Sequence, residues 1–250
     1  MGRVVFVGAG PGAADLITLR GARALGQADV VLHDALTDPA LRTLAPQAQW
    51  VDVGKRGYTH SARQAAINAL LLRMARQHGL VVRLKGGDPS LFGRLEEELL
   101  ALAAAGIEAE VVPGVTAALA AAAVAQRPLT RRGRGRSVAF STAMTEQGAV
   151  RASRSADSEV FYMAGRQLGA LARRLLEAGW PADTPACVVS RAGWPDQLAS
   201  DHRLDTLAQA TVLHAGRPTV VLLGAAAAPL PSVPSLMQDS PSAAENFATP

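Results

Sequence analysis

Arg83-Leu84-Lys85-Gly86-Gly87-Asp88-Pro89-Ser90-Leu91-Phe92-Gly93-Arg94 is the stretch from which the rest of the chain can be read. It is entered from Leu80-Val81-Val82-Arg83-Leu84, a short apolar run rich in β-branched residues and followed at once by glycines, which predicts a buried strand. Gly86 and Gly87 let the backbone turn sharply and pass close to a ligand, because no Cβ stands in the way. Asp88 offers an acceptor at the strand's carboxyl end, where open α/β sheets bind their ligands. Pro89 stiffens the exit, and Glu96 to Ala105 reads as a helix. Taken alone, Gly-Gly-Asp-Pro is a convenient strand-to-helix connection. Its repetition at other strand ends argues for a site.

The same pattern recurs on both sides of that stretch. Val4-Val5-Phe6-Val7 predicts a first strand running into Gly8-Ala9-Gly10-Pro11-Gly12, and Thr18 to Gln27 a helix capped by Asp15 or Thr18. Val30 to His33 predicts a second strand ending at Asp34, and Trp50 to Val53 a third ending at Gly54-Lys55-Arg56-Gly57. Ser61 is a candidate cap for a helix reaching about His78. Glu108 to Val112 predicts a fifth strand, closed by Pro113-Gly114, and Thr116 can cap the small-residue helix Ala117 to Ala125. Strands alternating with helices predict an α/β fold with a mostly parallel sheet covered on both faces.

Gln126 to Arg136 is polar and arginine-rich, and marks a boundary between an N-terminal α/β domain (1–125) and a C-terminal α/β domain (126–225). Beyond it, Val138 to Ser141, Val160 to Met163, Ala186 to Val189 and Thr219 to Leu223 read as strands. Leu168 to Ala178 and Leu204 to Ala210 read as helices. Ala226 to Pro250, rich in alanine, proline and serine without apolar periodicity, reads as a disordered tail.

Composition narrows the function classes. A chain of 250 residues that is 49% hydrophobic can build one or two sizeable cores. A net charge of +4 and a pI near 10.0 suit an anionic partner. Aromatics are only 4% and interleave with no basic run, which ranks nucleic acid below an acidic small molecule. Cys187 is the only cysteine, so a disulfide framework and a thiolate zinc site are excluded. His33, His60, His78, His202 and His214 show no metal spacing, and none is assigned to metal. No apolar run is long enough for a signal-peptide core or a membrane span, so a soluble cytoplasmic protein is expected. Lys55 and Lys85 are the only lysines among many arginines, and both sit beside glycines at strand ends. Lysine can lose its proton inside a protein whereas arginine effectively cannot, which marks both positions.

Gly8, Gly10 and Ala13 fit the dinucleotide pattern G-x-G-x-x-G/A loosely, with Asp29 or Asp34 as the ribose-binding acid. A nicotinamide-dependent oxidoreductase is therefore one reading. It leaves the second and third glycine loops unused, whereas a nucleotide-like ligand lying across several strand ends would use them all.

Taken in order, Val-Gly-Ala-Gly-Pro-Gly (7–12), Asp-Val-Gly-Lys-Arg (52–56), Val-Val-Arg-Leu-Lys-Gly-Gly-Asp-Pro (81–89), Phe-Gly-Arg (92–94), Glu97-Glu98, Val-Val-Pro-Gly-Val-Thr-Ala (111–117), Pro-Leu-Thr (128–130), Phe-Tyr-Met (161–163) and Pro-Thr-Val-Val-Leu-Leu-Gly (218–224) carry a resemblance. Over residues 3 to about 225 the chain resembles the tetrapyrrole methylases, and within them the uroporphyrinogen-III C-methyltransferases. The resemblance implies two α/β domains, a mostly parallel N-terminal sheet and a mixed C-terminal one, with the active site in the cleft between them. It implies S-adenosylmethionine as cofactor, a homodimer, and double methylation of uroporphyrinogen III to precorrin-2 for sirohaem or cobalamin. Residue by residue, it implies that Pro11, Gly86, Gly87, Asp88, Leu91, Thr116, Ala117, Met163, Ala192 and Thr219 line the cofactor. Asp34 is the implied proton acceptor and Lys55 the proton donor, and Arg94, Glu97 and Arg132 meet the substrate.

These residue types suit the chemistry. A pyrrole carbon that gains a methyl leaves a cationic system that must shed a proton, and a carboxylate can stabilise the charge or accept the proton. The substrate's carboxylates call for arginines, and Arg56, Arg94, Arg131, Arg132 and Arg134 are available. Each residue also has a plainer role open to it. Asp34 can cap a turn, Lys55 can be a surface charge, Thr116 a helix cap, Met163 a core residue, and Arg131 to Arg136 a solvated linker. The chain departs from the family pattern at Ala13, at Ala35 after Asp34, at Leu95 and Glu96 in place of paired glycines, at Met144 in place of a histidine, at Ala164 before Gly165, and at Ala192-Gly193 and Gln197-Leu198. The departures bear on the acceptor more than on methyl transfer, so a divergent methylase with another tetrapyrrole stays open, as does a non-catalytic nucleotide-binding module.

Overall fold

The computed structural model of the chain describes residues 2–54, 60–143, 150 and 152–230. Its N-terminal half is a five-stranded, all-parallel sheet of Arg3–Gly8 (β1), Val30–His33 (β2), Gln49–Asp52 (β3), Leu80–Lys85 (β4) and Ala109–Val112 (β5), in the order β3-β2-β4-β1-β5. Side chains alternate across a strand, and the sequence uses both faces. Val5, Val7, Val82 and Leu84 pack under Leu25 of Leu19–Gly26 (α1) and Leu41 of a 3-10 segment, Pro39–Leu44. Val4, Phe6, Val81 and Leu32 pack under Leu71 of His60–Gln77 (α2) and Leu102 of Leu95–Ala104 (α3). Helix α1 thus follows β1 on one face while α3 follows β4 on the other. Since β1 and β4 are neighbours, the chain diverges between them, and that divergence opens a crevice at the strands' carboxyl ends.

The cap of α1 is Thr18, whose Oγ1 accepts from the Gly21 N–H at 3.1 Å. Asp15 lies in a separate 3-10 turn, Ala14–Leu16, and does not cap the helix. This turn also answers the dinucleotide reading. That fingerprint needs its glycine loop to open directly onto a helix N-terminus, and here the turn intervenes. Asp29 serves elsewhere, its carboxylate accepting from the Leu80 N–H at 2.8 Å at the start of β4.

The C-terminal half is a mixed five-stranded sheet, β6-β7-β10-β8-β9, of Val138–Thr142 (β6), Ser158–Tyr162 (β7), Pro185–Ser190 (β8), Leu198–Arg203 (β9) and Thr219–Gly224 (β10). Only β6 and β7 run parallel. Leu168–Glu177 (α5) and the 3-10 segment Leu204–Gln209, continued by Ala210–Leu213 (α6), cover one face. Ala117–Val124 (α4) covers the other, with Ala118, Ala120 and Ala121 packed on Val160, Cys187, Val189, Val220 and Leu222. Helix α4 precedes the boundary drawn at 126–136, yet its buried alanines belong to the second core. Its small side chains let the helix lie close to the sheet.

Two expectations need correction. Strand β9 is absent from the sequence reading because Leu-Ala-Ser-Asp-His-Arg has no apolar run, and a charged edge strand is how sheets avoid further pairing. The tail expected from Ala226 starts too early. Ala226 and Ala227 are buried, the Ala226 N–H donates to Ser158 Oγ at 3.0 Å, and the Arg131 guanidinium donates to the carbonyl of Ala228. These alanines are core rather than low-complexity filler, and composition cannot tell the two apart. Residues 231–250 lie outside the described residues.

Candidate active site

A cavity of about 460 Å³ lies between the carboxyl ends of the first sheet and one end of the second. Every residue expected to line a cofactor lines it. Pro11, Gly86, Gly87, Asp88, Leu91, Thr116 and Ala117 come from the first half, and Met163, Ala192 and Thr219 from the second. Asp34 lines it too.

Glycines bring the loops together. The Gly87 N–H donates to the Gly10 carbonyl at 2.7 Å and the Gly10 N–H returns to the Gly87 carbonyl at 3.3 Å, joining the first glycine loop to the central one. A Cβ on Gly114 would sit 2.4 Å from the Gly87 carbonyl oxygen, and one on Gly8 2.5 Å from the Gly114 Cα. Both positions are closed to any side chain by backbone that cannot step aside. Gly86 differs: its nearest neighbour would be the Leu36 Cβ at 3.7 Å, so a side chain there would project into the cavity. The backbone at Gly86 is therefore open to a ligand.

Polar groups at the rim are mostly committed to holding it. Asp88 Oδ1 accepts from the Ser90 N–H at 2.8 Å, and Oδ2 accepts from the Gly114 N–H at 2.9 Å, so the carboxylate ties the β4 loop to the β5 loop. Thr116 occupies the N-cap position of α4 without capping it. Its hydroxyl pairs instead with the Tyr162 hydroxyl at 2.7 Å, and Tyr162 also accepts from the Ala118 N–H at 3.3 Å, joining the two halves across the cavity. Burial pushes the Tyr162 phenol above its ordinary value, so it stays neutral and able to donate. Phe92, Met163 and Arg191, all lining the cavity, have φ of 54°, 58° and 52°. Left-handed backbone at non-glycine residues is sparsely populated and gathers at functional sites. Met163 is half exposed, which removes the core role open to it in the sequence.

Behind the cavity wall lies a buried charge cluster. Strand alternation puts Arg83 and Lys85 on the face covered by α3. There Arg83 Nε donates to Glu98 Oε1 at 3.2 Å and Lys85 Nζ to Glu98 Oε2 at 2.9 Å. The other arm of Arg83 reaches Asp34 Oδ1 at 2.6 Å. The side chains of Arg83, Lys85 and Glu98 are 2%, 3% and 0% exposed, against 34% for Asp34. Burial works against the Arg83 charge, but Asp34 and Glu98 outweigh it and hold the group above its ordinary value. For Lys85 burial wins, helped by the nearby Arg83, and its pKa falls. The sequence marks Lys85 for chemistry, whereas Arg83 and Glu98 enter only within the motifs that carry the family resemblance. Their signal was present as charges inside an apolar strand and one helical turn after Leu95.

The residues expected to meet substrate are not gathered at the cavity wall. Arg94 Nε and Nη2 donate to the two oxygens of Glu97 at 2.7 Å each, a bidentate pair exposed beside the entrance. Arg132 is exposed in the turn closed by the Arg131–Gly135 bridge. Lys55 and Arg56 lie outside the described residues. No group of His, Cys, Asp and Glu able to hold a metal occurs among the described residues, and none of the described helices is long and apolar enough to cross a membrane.

The family model of the Tetrapyrrole (Corrin/Porphyrin) Methylases matches residues 3–208. The chain is 41% identical over 234 residues to a uroporphyrinogen-III C-methyltransferase of Synechocystis sp., covering 90% of this chain and 89% of that protein. It is 42% identical over 229 residues to a siroheme synthase of Zymomonas mobilis, of which it spans 48%, about half the length, and 43% identical over 203 residues to one of Psychrobacter arcticus, of which it spans 37%. Among solved structures, a uroporphyrin-III C-methyl transferase from Thermus thermophilus, complexed with S-adenyl homocysteine, superposes with a TM-score of 0.78 at 39% identity, covering 89% of this chain and 97% of that one. A cobalt precorrin-4 methyltransferase superposes with a TM-score of 0.79 at 29% identity.

Proposed function

We propose, starting from the fact that the chain belongs to the tetrapyrrole methylase family, that it is an S-adenosylmethionine-dependent C-methyltransferase converting uroporphyrinogen III to precorrin-2 by two methylations. One observation carries the reading: the cavity unites every residue that the family resemblance assigns to the cofactor, with the Gly86 backbone open toward it. A volume of about 460 Å³ and walls of glycine, leucine, alanine and methionine suit a ligand with a flat base and a sulfonium tail.

The cofactor supplies an electrophilic methyl group on a sulfonium. The chain's own residues orient and protect. Gly86 offers backbone hydrogen-bonding groups, Gly87 holds the first glycine loop against it, Thr116 and Tyr162 close one side, and Met163 and Leu91 exclude water. Asp34, a carboxylate at the wall, would accept the proton shed when the methylated carbon framework regains neutrality. We assign proton donation to Lys55. Arg94, Glu97 and Arg132 we assign to the substrate's carboxylate rim, with Arg94 exchanging Glu97 for a substrate carboxylate. Homodimer assembly and a cytoplasmic location belong to the same proposal.

Calorimetry with S-adenosylhomocysteine, set beside methyl transfer to uroporphyrinogen III, tests it. Binding and two successive mass increases of one methyl each are expected. NAD binding without adenosylhomocysteine binding would overturn the reading. Methyl transfer to another tetrapyrrole in place of uroporphyrinogen III would establish the second reading, which the likeness to the precorrin-4 enzyme and the departures at Ala13, Ala35, Leu95, Met144 and Ala192 favour.

A further inference from the structure

We propose that Arg83 is a positioning residue for Asp34, and that the buried Glu98–Lys85 pair exists to hold Arg83 in place. The proposal rests on the methyltransferase reading, in which Asp34 accepts a proton at the cavity wall.

The geometry is that of a fork held from behind. Arg83 leaves β4 on the α3 face, three residues before Gly86 at the cavity wall. Its Nη1 donates to the main-chain carbonyls of Leu32 at 3.3 Å and Leu84 at 3.1 Å, and its Nε donates to Glu98. These bonds fix the plane of the guanidinium before Nη2 reaches Asp34 Oδ1. Glu98 is fixed in turn, since Oε2 takes Lys85 Nζ and Oε1 also takes Gln64 Nε2 at 3.2 Å. Gly93 makes room for the lysine: its ideal Cβ would stand 3.1 Å from Lys85 Cε. The chain of contacts runs from the interior outward and ends at the one member that is open to the cavity. Among the described residues only Oδ1 of Asp34 is engaged, so Oδ2 is left for a ligand.

Stability alone does not account for such a cluster. Buried ion pairs gain little over apolar packing of similar volume, because desolvation offsets the attraction. Its four charges also sum to zero, so it adds no net charge beside the cavity; what it adds is direction. A carboxylate that can rotate between turn-capping and cavity-facing positions is a poor base, and a displacement of about 1 Å at a reacting group can lower a rate about 100-fold. Arginine suits the place because Nε and Nη2 of one planar group meet Glu98 and Asp34 in directions fixed by that plane, whereas the three donors of an ammonium rotate about a single nitrogen.

The test is a double-mutant cycle on the full chain with Arg83→Lys, Asp34→Asn and both together. The readouts are kcat, KM for uroporphyrinogen III, S-adenosylhomocysteine affinity and the melting curve. Arg83→Lys should lower kcat about 100-fold while KM and adenosylhomocysteine affinity stay within about threefold, and it should lower kcat no further in the Asp34→Asn background. If Arg83→Lys does not fold, Glu98→Gln replaces it in the same cycle, with a smaller fall in kcat and the same non-additivity expected. Three results would overturn the proposal. Multiplicative losses would show that Arg83 acts independently of Asp34. A parallel loss of adenosylhomocysteine affinity would make the cluster a general support of the cavity. Unchanged kcat would remove the role altogether. A parent protein that binds adenosylhomocysteine but methylates no tetrapyrrole would instead sink the methyltransferase reading, and the role with it.

Discussion

Asp88→Ala should destabilise the fold before it affects the ligand. The carboxylate makes two charge-assisted hydrogen bonds to main-chain N–H groups, to Ser90 at 2.8 Å and to Gly114 at 2.9 Å. Each such bond is worth roughly 1.5–3 kcal/mol. Asp88 is half buried, so water can reach the freed N–H groups, and the lower ends add to about 3 kcal/mol. In a chain of this size that lowers Tm by roughly 6–12 °C. Asp88→Asn provides an internal control. Its amide has one oxygen, which can serve one N–H, and sets its NH2 against the other, so it should fall between parent and Asp88→Ala. Thermal melts followed by circular dichroism, with calorimetry at a temperature where every variant is folded, separate the two roles. The reasoning fails if Asp88→Ala melts with the parent while losing adenosylhomocysteine. Asp88 would then be a ligand residue and not the tie between the β4 and β5 loops.

Three further outcomes follow from the same coordinates. Gly114→Ala should not give a stable protein, because its Cβ would meet the Gly87 carbonyl oxygen at 2.4 Å, and a soluble variant with parental Tm would contradict the loop packing. Tyr162→Phe should lower stability by about 1–2 kcal/mol for its bonds to Thr116 and to the Ala118 N–H and weaken adenosylhomocysteine binding, with Thr116→Val costing less and the double variant matching Tyr162→Phe, as equilibrium unfolding and calorimetry would reveal. Asp201, bonded by Arg127, has a pKa below its ordinary value of 3.8. Its pairing therefore stabilises fully above that value and is lost as pH falls through the depressed folded value. Asp201→Asn should flatten the acid limb of a stability–pH curve below about pH 4, and an unchanged limb would remove the pair from acid unfolding.

Much of the frame was legible because it rests on short-range rules. Apolar β-branched runs mark β1, β2, β4 and β10 within a residue of where they lie, with glycine close behind all but β2, and the apolar run Val4-Val5-Phe6-Val7 foretells two covered faces. The cavity wall was legible for a related reason: backbone that must approach a ligand or another loop excludes side chains, and glycine is the visible trace of that exclusion. What stayed hidden depends on partners distant in sequence. Asp88 looks like a free acceptor until Gly114 is seen to donate to it, and Thr116 looks like a cap until Tyr162 is found opposite. Strand β9 owes its place to a neighbour and not to its composition. Ala226 and Ala227 resemble the low-complexity residues around them, and only the Ser158 hydroxyl and the second core distinguish them.

The two sides of the cavity differ in how they are made, and the difference bears on what can vary. The side formed by Gly10, Gly86, Gly87 and Ala117 presents mostly backbone, so its shape is set by φ values and by close loop packing. A side chain at Gly10 or Gly87 would strain the left-handed backbone that shapes the site, and one at Gly86 would fill the cavity. The side where Asp34 stands presents a side chain aimed by others, Arg83 in front and Glu98 with Lys85 behind. A change there can alter direction or charge while the sheet survives. Further out, Arg94 and Glu97 satisfy each other at the surface, where breaking the pair costs little because water replaces it. Tolerance to substitution thus rises from the backbone wall to the aimed carboxylate to the exposed rim. The departure from the family pattern at Ala35, beside Asp34 on the second of these tiers, is therefore compatible with an intact cofactor cavity, while Leu95 packs partly buried against the core under α2 and α3, away from the backbone wall.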